Sequence, residues 1–276
     1  MAILTRTTRS PAVERIVESI GSYGVPAHPL RPPEFVEVAL RHAPSAALLR
    51  MPSGGPVSEL APLLEPSGEI GAIPWINSVP SVVRAHDKFA SLEQLQAAGL
   101  PTPPTALVLR DVDNNLDELP GSHFVVKPLR GAAGHGVTVG LCREAARQNA
   151  RAFADLTGSA LVQSCVGEGI DRRMFIIDGS VVASMERRPT AAGRGNVLYG
   201  GETRPWSPDD AQRALGIRAA HILGLDIAGV DILDDDGRDV ILEVNSCPGL
   251  TALETCTGFD VADAIASAVL RRCGLR

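Results

Sequence analysis

The chain is 276 residues long, enough for one or two domains of ~100–200 residues with a properly buried core. Hydrophobic residues make up 45% of it and charged residues 21%, a globular mixture that excludes a disordered or fibrous class. The formal net charge is −6 and the basic residues are scattered, which sets nucleic acid aside as a partner.

In chain order, Ala2 to Thr5 reads as a strand and Pro11 to Ile20 as an amphipathic helix, followed by a Pro-rich stretch with short apolar runs. These first ~85 residues make a small α/β unit. Asp87 heads a clearer helix that places Phe89, Leu92 and Leu95 on one face and closes at Gly99, ahead of Pro101 and Pro103. His123 to Lys127 is a short strand entering a Gly-rich loop, Arg143 to Leu156 an amphipathic helix, and Ala160 to Val166 another strand. Asp178-Gly179 joins the strands Arg173 to Ile177 and Ser180 to Glu186 as a hairpin. Ser207, Pro208 and Asp210 predict a helix start with Ser207 as N-cap, the helix running to Leu223. A second hairpin spans Ala228 to Asn245 with its turn at Asp236-Gly237, and a last helix runs from about Asp260 to Arg272.

No stretch approaches the ~18 consecutive apolar residues of a membrane span, and Met1 to Arg6 is too short in apolar content for a signal peptide. The expectation is a cytoplasmic protein with no membrane partner. Its five cysteines, Cys142, Cys165, Cys247, Cys256 and Cys273, form no CxxC pair, so reduced thiols are expected rather than disulfides or a zinc site.

The chemistry concentrates in four segments. In a strand, residues two apart share a face, so Glu243 and Asn245 point together, with Leu242 and Val244 directed into the core. The hairpin register brings Asp231 opposite Glu243, and two carboxylates with an amide oxygen are a hard ligand set suited to magnesium carried by a nucleotide triphosphate; a solvated hairpin is the bland alternative. Lys127 precedes a loop containing Gly131, Gly134 and Gly136, whose small residues let backbone N–H groups approach phosphate. The spacing is neither GxGxxG at a strand-to-helix turn nor GxxxxGK[ST], which sets aside an NAD-dependent oxidoreductase and a P-loop enzyme. Lys88 is a second cation, and Glu186-Arg187-Arg188 with Arg194-Gly195-Asn196 supplies guanidinium forks that match phosphate or carboxylate.

The order of these segments resembles ATP-grasp enzymes and, among them, the RimK-like α-L-glutamate ligases. The resemblance is carried by Arg84-Ala85-His86-Asp87-Lys88, Phe124-Val125-Val126-Lys127-Pro128, Asp171-Arg172-Arg173, Gly229-Val230-Asp231 and Glu243-Val244-Asn245-Ser246-Cys247-Pro248-Gly249, and it covers residue 80 onward. It implies an α/β fold of α+β lobes that grip ATP. Residues 1–88 would be an N-terminal unit and 89–276 the ATP-grasp part, with a lid lobe over about 100–165 and a C-terminal lobe over about 166–276. By the same resemblance Lys88, Lys127 and Gly134 would hold phosphates, Ser164 and Cys165 would form the adenine hinge, and Asp171 and Arg173 would meet the nucleotide. Arg194, Gly195 and Asn196 would reach phosphate and substrate, and Asp231, Glu243 and Asn245 would bind magnesium or manganese. Arg194 or Arg187 would stabilise the oxyanion formed as an amine attacks an acylphosphate. The implied partners are ATP, an amino acid such as L-glutamate, and a carboxylate acceptor; a homo-oligomer stays open. Two positions depart from the family: Ser164 stands where a glutamate is usual, and Val197-Leu198-Tyr199 replaces a histidine and an arginine. An ATP-binding regulatory or scaffold protein of the same fold, without turnover, and a ligase using an amino acid other than glutamate are the alternatives that these departures suggest.

Overall fold

The computed structural model describes residues 1–64, 68–110, 116–131, 134–167, 169–188 and 201–275. The chain builds three sheets in succession. The first comes from β1 (Ala2–Thr5), α1 (Pro11–Ser22), β2 (His28–Leu30), α2 (Pro32–Arg41), β3 (Ala47–Arg50), α3 (Gly68–Gly71) and β4 (Trp75–Ile76). Its strands are all parallel, in the order β2-β1-β3-β4. β1 and β3 are buried along their whole length, so they carry apolar runs without alternation, and this is why the segment reads weakly as sequence.

Two helices follow, α4 (Val79–His86) and α5 (Lys88–Ala97), separated only by Asp87. Asp87 caps α5 by accepting from the Ala90 N–H, which fixes where Lys88 emerges. The second sheet contains β5 (Thr105–Leu109), β6 (Phe124–Lys127), β7 (Thr138–Leu141) and, after α6 (Arg143–Thr157), β8 (Ser159–Ser164). It is antiparallel in the order β5-β8-β6-β7, and α6 covers it with Ala146, Ala150 and Ala154, a stripe at helical spacing.

The third sheet is formed by β9 (Asp171–Ile177), β10 (Ser180–Arg188), β11 (Glu202–Pro205), and, after α7 (Asp210–Ile222), by β12 (Ile227–Asp235) and β13 (Arg238–Asn245). Its order is β11-β10-β9-β12-β13. The chain ends with α8 (Thr251–Thr257) and α9 (Val261–Arg272). α7 starts at a cap on Asp209, not Ser207: the Asp209 carboxylate accepts from the Gln212 N–H while the Gln212 side chain accepts from the Asp209 N–H. That reciprocal pair satisfies two helix-end donors and outcompetes a lone hydroxyl two residues earlier.

Ile16 and Ile20 of α1 share one core with Phe175 of β9 and with Ile265 and Val269 of α9. Arg15 of α1 pairs with Glu254 of α8 and, at 2.9 Å, with Asp260, the cap of α9. All five cysteines are free, and among the described residues no helix is long and apolar enough to cross a membrane.

Candidate functional site

The β12–β13 hairpin sets the first half of the site. Its register pairs Asp231 with Glu243, as the alternation predicts, then skips a residue so that Ile232 faces Ile241. Leu242 is therefore a bulge residue and is partly exposed, contrary to the expectation that it joins the core; Val244, past the bulge, is buried. Gly229 lies where the loop after β13 crosses β12, and a Cβ there would come within 2.7 Å of the Pro248 ring. Only glycine lets that loop lie so close.

Asp231 does not face open space. Its two oxygens accept from Arg173 Nε and Nη2, both at 2.6 Å, and Arg187 Nη2 lies 2.8 Å from Oδ2. Arg187 also donates from Nε and Nη2 to Asp171, at 3.0 and 2.6 Å. The four side chains form a buried alternating chain of charges across β9, β10 and β12. Burial pushes the Asp231 carboxyl up, but the two guanidinium groups outweigh it and hold the group below the usual carboxylate range. Burial with the neighbouring Asp231 charge raises Asp171, against the pull of Arg187. Arg173 and Arg187, expected to face nucleotide and reacting carbonyl, thus spend their forks on carboxylates beneath the cleft. The reason is charge balance: two buried carboxylates each need a guanidinium partner in a region closed to water.

The groups that do reach the cleft are Glu243 and Asn245. Asn245 Nδ2 donates to Glu243 Oε1 at 2.9 Å, and the other carboxylate oxygen lies 4.0 Å from Lys88 Nζ. A hollow between α5 and β13 is lined by Lys88, Ser91, Leu92, Glu243 and Asn245. Lys88 Nζ donates to the Gly131 carbonyl at 2.6 Å, so the start of the Gly-rich loop lies directly over this hollow. Lys127, at the end of β6, is 8% exposed, and its backbone sits opposite Leu161 in the ladder with β8. Burial drives its ammonium down to about 8, with Glu243 pulling it back up and Lys88 pushing it further down. A buried cation is costly unless an anion joins it, and a triphosphate is such an anion.

Of the remaining expectations, Gly134 adopts φ +74° in the Gly-rich loop. Ser164 ends β8, its hydroxyl donating to Pro120 O and its N–H to Pro104 O, while the Cys165 N–H goes to His123 O. Their N–H groups are thus already satisfied by protein. Arg194, Gly195 and Asn196 lie outside the described residues.

The sequence reading missed Asn77. Its buried amide donates to Ile227 O and Ser246 O and accepts from the Asp226 and Ile227 N–H groups, fixing the loop after Asn245 against β12. Nothing in a lone Asn before a helix signals this, since its partners lie about 150 residues away. Arg50 supports the same loop by donating to Pro248 O at 2.8 Å.

The donor set fits magnesium that arrives with a nucleotide. Magnesium keeps several waters and takes one or two carboxylates together with phosphate oxygens, and Glu243 with Asn245 offers that partial set, with two lysines for the remaining phosphate charge. Among the described residues no group of three His, Cys, Asp or Glu could hold a metal by itself.

Comparison with known proteins agrees with this geometry. The family described as RimK-like ATP-grasp domain matches residues 85–269. A probable alpha-L-glutamate ligase of Thioalkalivibrio sulfidiphilus is 39% identical over 203 residues, 72% of this chain and 67% of that protein. Another of Alcanivorax borkumensis is 31% identical over 279 residues, covering 95% of this chain and 92% of its own. Among solved structures, the ATP-grasp ligase PsnB complexed with a phosphomimetic precursor variant, Mg and ADP superposes with a TM-score of 0.72 at 16% identity, over 99% of this chain and 98% of that one. The chain belongs to the RimK-like ATP-grasp family of ATP-dependent ligases.

Proposed function

We propose that the protein joins an amino acid, L-glutamate, to the carboxylate of a peptide, protein tail or cofactor, forming an amide through an acylphosphate. The observation that carries this reading is the meeting of Lys88 with Glu243 and Asn245 around one hollow under the Gly-rich loop, with the buried Lys127 near enough to feel the charges of Glu243 and Lys88. The named relatives support glutamate as the amino substrate.

Lys88 and Lys127 would bind and neutralise the triphosphate, and Glu243 with Asn245 would hold magnesium or manganese. Magnesium, when bound, supplies charge neutralisation at the transferring phosphoryl group. The Arg173, Arg187, Asp171 and Asp231 chain ties β12 to β9 and β10, and Arg173 Nη2 lies 4.0 Å from Glu243 Oε1, which helps to hold that carboxylate in place. Arg194 to Asn196 are proposed to approach the phosphate and the amino substrate, with Arg194 stabilising the oxyanion. Ser164 and Cys165 border the adenine pocket. Residues 1–88 form the N-terminal unit, 100–165 the lid lobe and 166–276 the C-terminal lobe of this reading, supported by one sheet in each. The enzyme is placed in the cytoplasm.

Purified protein supplied with ATP, magnesium, L-glutamate and a panel of carboxylate acceptors is expected to release ADP fastest when both substrates are present. Mass spectrometry should then find a product heavier by one glutamate residue. No amide from any amino acid and acceptor would overturn the reading.

A further inference from the structure

Three consecutive residues of the Gly-rich loop are held from outside their own sheet. The Lys88 N–H donates to Leu129 O at 3.4 Å, Asp87 lies 3.7 Å from the Arg130 guanidinium, and Gly131 O accepts twice, from Lys88 Nζ at 2.6 Å and from Ser53 Oγ at 2.8 Å. Ser53 belongs to the segment after β3, in the first sheet's unit. It also lines a second cavity with Asn245, Ser246 and Cys247, directly beside the cleft. A single half-buried hydroxyl therefore joins the N-terminal unit to the loop over the cleft, and it does so across a cavity from the loop after β13.

The two donors on Gly131 O are not equivalent. Lys88 Nζ is a cation 4.0 Å from Glu243, and in the reading above it is required by the nucleotide phosphates. Once it turns to phosphate, Gly131 O loses its charged donor and retains only the serine. We propose that Ser53 is a positioning residue: it latches the Gly-rich loop over the cleft during the interval when Lys88 is engaged by phosphate, and so keeps water from the acylphosphate. The inference rests on the function proposed above, and it concerns the partition of the acylphosphate. In the productive branch the amine nitrogen forms a C–N bond to the acyl carbon, the C–O bond to phosphate breaks, and the amine releases one proton. In the wasteful branch water attacks the same carbon, the same bond breaks, and the starting carboxylate and phosphate return with no amide.

Two measurements test it on the full chain with Ser53→Ala and Ser53→Thr. The first is hydrogen exchange of the Lys88 amide, whose N–H donates to Leu129 O, with a nonhydrolysable ATP analogue and magnesium bound. Loss of one hydrogen bond should raise the open population, and hence the exchange rate, about fivefold in Ser53→Ala, and Ser53→Thr should restore it. The second is ADP released per amide formed, which should rise in Ser53→Ala and return toward the wild-type ratio in Ser53→Thr. A merely structural defect would lower both products together and leave the ratio unchanged. Equal exchange and an equal ratio in wild type and Ser53→Ala would overturn the latch. If wild type forms no amide at all, the proposed function fails, and the exchange comparison alone still decides the latch.

Discussion

Replacing Lys127 by Met should make the protein more stable and a poorer binder of ATP at the same time. The ammonium at the end of β6 is held at about 8, against 10.5 for a free lysine, and burial is the largest cause. At about 1.36 kcal/mol per pH unit, keeping that charge inside the fold at neutral pH costs roughly 3 kcal/mol. Methionine has a similar length and no charge, so Lys127→Met recovers up to that amount, the attraction of Glu243 being already contained in the net shift. For a chain of this size the midpoint of thermal unfolding should rise by several degrees, at roughly 2–4 °C per kcal/mol. The pH dependence follows from the same comparison. Between about 8 and 10.5 the unfolded chain holds a proton on this lysine that the folded chain has lost, so Lys127 makes wild type gain stability as pH rises through that window. Lys127→Met lacks this contribution. ATP affinity behaves oppositely, falling above pH 8 in wild type as the charge is lost and being low at all pH values in the variant. Urea unfolding across the pH range and calorimetric titration with ATP read both quantities. A variant that is less stable than wild type, yet binds ATP normally, would refute the reasoning.

Asp231→Ala removes the carboxylate shared by Arg173 and Arg187 and should destabilise the fold by about 3–5 kcal/mol, read as a lower urea midpoint. Glu243→Gln, with a side chain 31% exposed and outside the core, should leave that midpoint nearly unchanged. It should, however, raise the magnesium concentration for half-maximal turnover at least about tenfold in a metal titration. Asn77→Ala strands four backbone groups, three of them in buried hydrogen bonds, and should cost about 3 kcal/mol or more by denaturant unfolding. Its turnover, measured well below the unfolding midpoint, should fall as well, because the loop after Asn245 loses its anchor.

How much of this was legible in the sequence depended on the range of the signal. The two hairpins, their Asp-Gly turns and the pairing of Asp231 with Glu243 follow from alternation within about 20 residues, and they appear as expected. The bulge at Leu242 is a one-residue change in register that alternation cannot encode, so Leu242 was directed into the core. The charged residues of the site were found by type, but their pairing was not. Arg173, Arg187, Asp171 and Asp231 come from three strands, and which of them faces the cleft is decided by burial on a sheet whose neighbours are set by topology. The first ~85 residues were the least readable, because parallel strands buried on both faces carry no period.

The Asn77 amide bears on what part of this chain can exist alone. The family match begins at residue 85, which invites the idea that the catalytic part is separable there. A polypeptide starting at that point would lack the amide that satisfies Asp226, Ile227 and Ser246, and would bare the face of α9 that α1 covers. The leading 84 residues thus serve as scaffolding for the hairpin that carries Glu243, whatever else they recognise, and trimming them should yield an insoluble product rather than a smaller ligase.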